Sequence, residues 1–120
     1  IRFNNLQKGA DLVEQVTRIA REIDPATEVR ARISGEAFLT PAGRLYDIVT
    51  QAIEAECGIR PTLSTGGGTS DGRFLIQLCP VVDFGLPNAS MHKVGESAGV
   101  ADIEALARIY QRVFEAGLRQ

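Results

Sequence analysis

Apolar and polar positions alternate along this 120-residue chain in two rhythms. From Ala10 onward, Leu12, Val13, Val16, Ile19, Ala20 and Ile23 recur at spacings of three and four, which predicts an amphipathic helix. Asp11 and Glu14 fall in its first turns, where the helix dipole favours acids, and Asp24-Pro25 ends it. The rhythm then changes to period two. Val29, Ala31 and Ile33 point one way, with Glu28, Arg30 and Arg32 the other, as in a half-buried strand. With Ile1 to Asn4 as a short strand, residues 1–33 read as one β-α-β unit.

Ser34 to Thr40 connects to a second region. Thr40-Pro41 predicts a helix start, with Thr as the cap and Pro in the first turn. Leu45, Ile48, Val49, Ala52 and Ile53 form the stripe of that helix, and Gly58 suits its left-handed end. A short strand (Pro61 to Ser64), a glycine-rich turn, a short helix (Asp71 to Cys79) and an apolar strand at Val81, Val82 and Phe84 follow. A long irregular stretch from Gly85 to Gly99 leads into a last helix, from about Ala101 to Ala116. Its buried face is predicted to be Ile103, Leu106, Ala107, Tyr110, Val113 and Phe114. Alternating strands and helices give an α/β fold class.

Composition narrows the possibilities. A net charge of −2 gives no electrostatic case for nucleic acid or an anionic membrane. No run approaches the roughly 18 apolar residues of a membrane span. The two cysteines, Cys57 and Cys79, have neither metal-finger nor CxxC spacing, and read as small apolar residues at helix ends in a reducing compartment. The chain opens on Ile1, with Arg2-Phe3 already strand-like, so it is expected to begin inside a longer protein.

Ser64-Thr65-Gly66-Gly67-Gly68-Thr69-Ser70-Asp71-Gly72-Arg73-Phe74 carries the most local information. Three glycines let the backbone approach a ligand closely. Thr69, Ser70 or Asp71 would cap the short helix behind them, and N–H groups converging there favour a phosphate or a carboxylate. The run lacks the lysine of a P-loop and the spacing of a dinucleotide fingerprint. A tight turn with no ligand is the plain alternative.

Gly66 to Phe74, Asn88-Ala89-Ser90-Met91-His92-Lys93-Val94, and Ser34-Gly35-Glu36-Ala37-Phe38-Leu39-Thr40 together resemble the di-zinc family of aminoacylases, deacetylases and carboxypeptidases. Ala37 stands where that family's pattern usually has proline. Ile1-Arg2-Phe3-Asn4 is similar to the lid strand that carries a substrate-binding arginine. The likeness runs through the whole chain in order. It implies half of a ferredoxin-like lid (dimerisation) domain over residues 1–33. Residues 34–120 would then be the C-terminal segment of a zinc-peptidase-like catalytic domain.

The likeness also implies a chemistry. His92 matches a ligand of one of two zinc (or cobalt) ions, which about 3.5–4 Å apart can activate a bridging water. Arg2, Ser34, Gly68, Thr69 and Asn88 match positions that hold a small dicarboxylate amide substrate. Asp71 and Arg73 read as structural, Arg73 with a loop acid such as Glu96 for a partner. The remaining metal ligands and the general base would lie outside the chain, which by itself is expected to bind no catalytic zinc and to hydrolyse nothing. The Gly66 and Ser34 stretches favour the branch that removes succinyl groups from diaminopimelate, over deacetylation of acetylornithine or another aminoacylase or peptidase reaction. The implied setting is a cytoplasmic, bacterial homodimer joined through the lid.

Two other readings use the same residues. One makes the chain only a folding or dimerisation module, whose strand edges and apolar helix face await another chain. The other makes it a free-standing anion-binding domain built on the glycine-rich turn.

Overall fold

The computed structural model describes residues 1–67 and 70–119. It contains four helices: α1 (Gly9–Ile23), α2 (Arg44–Cys57), α3 (Gly72–Leu75) and α4 (Val100–Leu118). They belong to two compact units, one of Ile1–Leu39 with Leu63–Cys79 and the other of Thr40–Thr62 with Pro80–Gln120.

The expected α/β class is not what forms. Among the described residues there is no strand and no sheet, so neither the β-α-β lid half nor a strand at Val81 to Phe84 exists in this chain. Period-two alternation says which faces a strand would present, but a strand also needs a neighbour to bond. Residues 28–39 lack one. Glu28 and Arg30 pair only with each other, in the open at 3.2 Å. At Val81 to Phe84 side chains take the carbonyls that a ladder would use. The Thr40 hydroxyl donates to Val81 O at 2.8 Å, and the Tyr110 hydroxyl to Phe84 O at 2.8 Å.

In the first unit, α1 begins one residue before the expected Ala10 and stops where proline requires. Asp24 is extended, its N–H closes the last turn on Ala20 O, and its side chain accepts from Ala26 N–H at 2.9 Å. Lys8, at the cap position, supplies no side-chain bond. The cap comes instead from 27 residues away: both oxygens of Glu36 accept from the Gly9 N–H, at 3.2 and 3.0 Å. The apolar stripe of α1 is only partly covered, with Ile19 and Ile23 exposed.

The second unit is built on α2 against α4. Val49, Ala52 and Ile53 bury against Ile109, and Leu45, Val113, Val82 and Phe84 close around them. The start of α2 meets the end of α4, where Arg44 donates to the Ala116 and Arg119 carbonyls. A cation there complements the negative end of the helix. Toward the other end, Glu56 pairs with both Arg108 and Arg112. The two helices are therefore antiparallel.

Three local expectations are corrected here. Helix α2 starts at Arg44 behind Gly43, not at Pro41; Thr40 holds Val81 O with its hydroxyl instead of capping a helix. The buried residue of α4 is Ile109, while Ile103, Tyr110 and Phe114 are exposed. Cys57 ends α2 as expected, but Cys79 lies four residues beyond the end of α3, and both are free and exposed, so they fill no core. Gly58 behaves as read: at φ 68° it closes α2 with its N–H on Glu54 O.

Candidate functional site

In the first unit, the Ser34 segment and the end of the glycine-rich stretch come together. Gly35 lies flush against Arg73: a Cβ added to Gly35 would meet Arg73 Cδ at 2.6 Å and Nε at 3.1 Å. Arg73 Nη1 donates to Ser70 O at 3.1 Å, and its guanidinium lies 4.4 Å from the centre of the Phe74 ring. The buried Arg73 Nε finds no hydrogen-bond partner among the described residues. Asp71 stands at the cap position of α3 but its side chain makes no capping bond; the hydroxyl of Ser70, one residue earlier, accepts from Gly72 N–H at 3.1 Å. A carboxylate at Asp71 would have suited that role equally by composition, so the sequence could not choose between them. Ser64 closes the front of the stretch by accepting from Gly66 N–H at 2.9 Å.

Ser34 is exposed, between two residues that are packed closely: Ile33 against Gly9 and Gly35 against Arg73. Arg2 is also exposed in this unit. Gly68 and Thr69, the other two candidate substrate contacts here, lie outside the described residues.

In the second unit, Asn88 and His92 share one loop, which is a run of tight turns. Asn88 O accepts from Met91 N–H, Ser90 O from Lys93 N–H and Lys93 O from Glu96 N–H, each at 3.1 Å. The Ser90 hydroxyl bridges to Ser97, donating to its carbonyl at 2.6 Å and accepting from its N–H at 3.1 Å. Lys93 Nζ donates to Ala89 O at 2.6 Å. His92 sits at the tip with φ 62°, the one non-glycine residue with positive φ among those described. Its N–H donates to Glu96 Oε2 at 3.3 Å. Left-handed backbone costs an L-residue about 1–2 kcal/mol, and such strain concentrates at functional positions. The sequence carried no sign of this strain, because histidine is not a residue a turn would select.

A metal needs more than this loop offers. Among the described residues no three His, Cys, Asp or Glu side chains gather into a metal-binding group. One imidazole is a single donor of the three or four that a zinc site takes. The described residues therefore hold no complete metal site, and this loop could offer a metal one imidazole. No helix is long and apolar enough to cross a membrane among the residues described.

The chain belongs to peptidase family M20/M25/M40, whose model matches residues 5–116. It is 54% identical to the succinyl-diaminopimelate desuccinylase of Zymomonas mobilis, over 98% of this chain and 31% of that protein. It is 53% identical to the protein of the same name from Sphingopyxis alaskensis, over 94% of this chain and 30% of that one. The corresponding protein of Rhodospirillum centenum is 50% identical over 96% of this chain and 30% of its own length. The chain thus spans a little under a third of the curated relatives it matches.

Proposed function

We propose that the protein to which this chain contributes is a metal-dependent amidohydrolase that cleaves N-succinyl-LL-2,6-diaminopimelate into succinate and LL-2,6-diaminopimelate. The observation that carries the reading is identity of half or more, across nearly the whole chain, to several proteins bearing that name. In this reading residues 1–33 belong to a lid domain that pairs two subunits, and residues 34–120 to the catalytic part. The enzyme works in the cytoplasm as a homodimer.

The roles follow from the side chains. Arg2 offers a planar fork of donors suited to a carboxylate. Ser34, Thr69 and Asn88, with the backbone at Gly68, offer hydrogen bonds to the remaining carboxylate and amide oxygens. Anionic groups at both ends of the substrate call for this pattern of donors. His92 gives one donor to a divalent metal, zinc or cobalt, whose other ligands come from outside this chain. When bound, such a metal supplies Lewis-acid activation of the amide and of water.

The test is hydrolysis by the protein at the full length of its relatives, loaded with zinc or cobalt. Release of free amine from N-succinyl-diaminopimelate, well above that from N-acetylornithine, is expected. A preference for the acetylated substrate would move the assignment to a deacetylase, and no turnover of either would end it.

A further inference from the structure

Ser34 lies between two residues in close contact with other segments, and Glu36, two residues further on, is not among those the reaction calls for. On one side, Ile33 packs on Gly9. A Cβ at Gly9 would meet Ile33 Cγ2 at 3.0 Å, Ile33 Cδ1 at 3.1 Å and Glu36 Oε1 at 2.9 Å, so a side chain there would push on both Ile33 and the Glu36 carboxylate. On the other side, Gly35 lies against the Arg73 stem. Two residues past Ser34, Glu36 turns back and accepts from the buried Gly9 N–H with both oxygens.

The segment has few other restraints. Residues 28–39 make no strand ladder. The Glu36 carboxylate is therefore the polar tie between this segment and the start of α1. A carboxylate is well matched to that position, where free N–H groups and the helix dipole favour negative charge. The tie serves both partners: α1 gains the cap that Lys8 does not give, and residues 33–37 gain an anchor on a rigid helix.

We infer that Glu36 is a positioning residue, which holds Ser34 in place for the substrate by anchoring residues 33–37 to the Gly9 amide. The inference rests on the proposed desuccinylase reading for the role of Ser34, while the anchor itself rests on the geometry. Glu36 has both its oxygens taken up by the Gly9 N–H. Its loss acts on binding through the order of its neighbours.

The experiment uses the protein at the length of its relatives, with Glu36→Ala, Glu36→Gln and Gly9→Ala. Hydrogen exchange followed by mass spectrometry reads the anchor directly. Glu36→Ala is expected to speed exchange at Gly9 and across residues 33–37 about tenfold, the loss of one charge-assisted hydrogen bond. Gly9→Ala, which keeps the carboxylate but blocks the approach, should do the same. Glu36→Gln keeps an acceptor oxygen and should recover most of the protection. With N-succinyl-diaminopimelate, KM is expected to rise several-fold in the first two variants, with kcat within about twofold.

Unchanged exchange at residues 33–37 in Glu36→Ala overturns the anchor. Faster exchange with an unmoved KM overturns the positioning role. Absence of turnover by the unsubstituted protein would instead strike the desuccinylase reading, and the exchange result would then decide the anchor by itself.

Discussion

Gly35 leaves to Arg73 the space that its own side chain would fill: the Arg73 Cδ stands 2.6 Å from where a Cβ on Gly35 would be. Cδ lies mid-stem, so it cannot simply swing away as a side-chain tip would. Arg73 is further held by Ser70 O and the Phe74 ring. Gly35→Ala is therefore expected to cost about 1–3 kcal/mol, the usual range for inserting a methyl into filled space. Arg73→Ala removes the obstacle, so the double variant should lose clearly less than the two single losses added together. Denaturant unfolding of the four proteins measures this. Additive losses would mean that the two residues do not contend for the same space.

Thr50 presents the opposite fault, a polar atom with nothing to bond. It is buried on α2 beside Val49 and Ile53, and its Oγ1 finds no hydrogen-bond partner. A buried hydroxyl left unpaired costs about 1–3 kcal/mol, and valine nearly matches threonine in shape. Thr50→Val is expected to raise stability by about 1 kcal/mol, seen as a higher denaturation midpoint at unchanged slope. Lower stability in Thr50→Val would show that the hydroxyl is bonded in solution.

These details could not be read from the sequence, and the reasons are physical. Helix periodicity found α1, α2 and α4, because a stripe at 3.6-residue spacing is a property of the segment itself. It placed the buried face of α4 one step off: Ile103, Tyr110 and Phe114 are exposed, and the neighbour α2 buries Ile109, with Val113 packed beside it. Caps failed for a similar reason. Thr40 is suited to start a helix but donates to Val81 O, and the cap of α1 comes from Glu36. The strands failed most completely, since a strand requires a partner that alternation cannot supply. Candidate chemistry could be named from the sequence only where it lies in contiguous motifs, around Ser34, Gly66 to Phe74, and Asn88 to His92. The Gly35 approach to Arg73 and the Gly9 tie to Glu36 join separate motifs, so only the fold could reveal them.

Glu56 should make the α2–α4 pair sensitive to acid. The hydrogen bond from Arg108 lowers its pKa below the ordinary carboxylate value; burial opposes this, and the charges of Arg108 and Arg112 add to the lowering. A carboxylate with a depressed folded pKa binds fewer protons in the folded than in the unfolded state. Its contribution is fully present above the unfolded glutamate pKa of about 4.3 and is lost as pH falls through the lower folded value. Glu56→Gln is thus expected to lose stability at pH 7 relative to the unsubstituted chain, with the gap closing below about pH 4. Thermal unfolding at a series of pH values measures the gap. The partners are half exposed, so 1 M salt should narrow it as well.

His92 sets stability against function in one residue. Its φ of 62° suits glycine better than any residue with a Cβ. Removing the side chain while keeping the Cβ should leave that strain in place, and removing the Cβ should release it. His92→Gly is accordingly expected to be more stable than His92→Ala by about 1 kcal/mol. If His92 donates to a metal, both variants lose that donor equally. Both should then show metal content and amide hydrolysis far below the unsubstituted full-length protein, to the same extent despite their different stabilities. Activity that tracked stability would mark His92 as a residue of loop structure only. A loss independent of stability would explain why the loop carries a histidine in a conformation that glycine fits best: the imidazole is needed there, and the turns from Asn88 to Ser97 hold it against the strain.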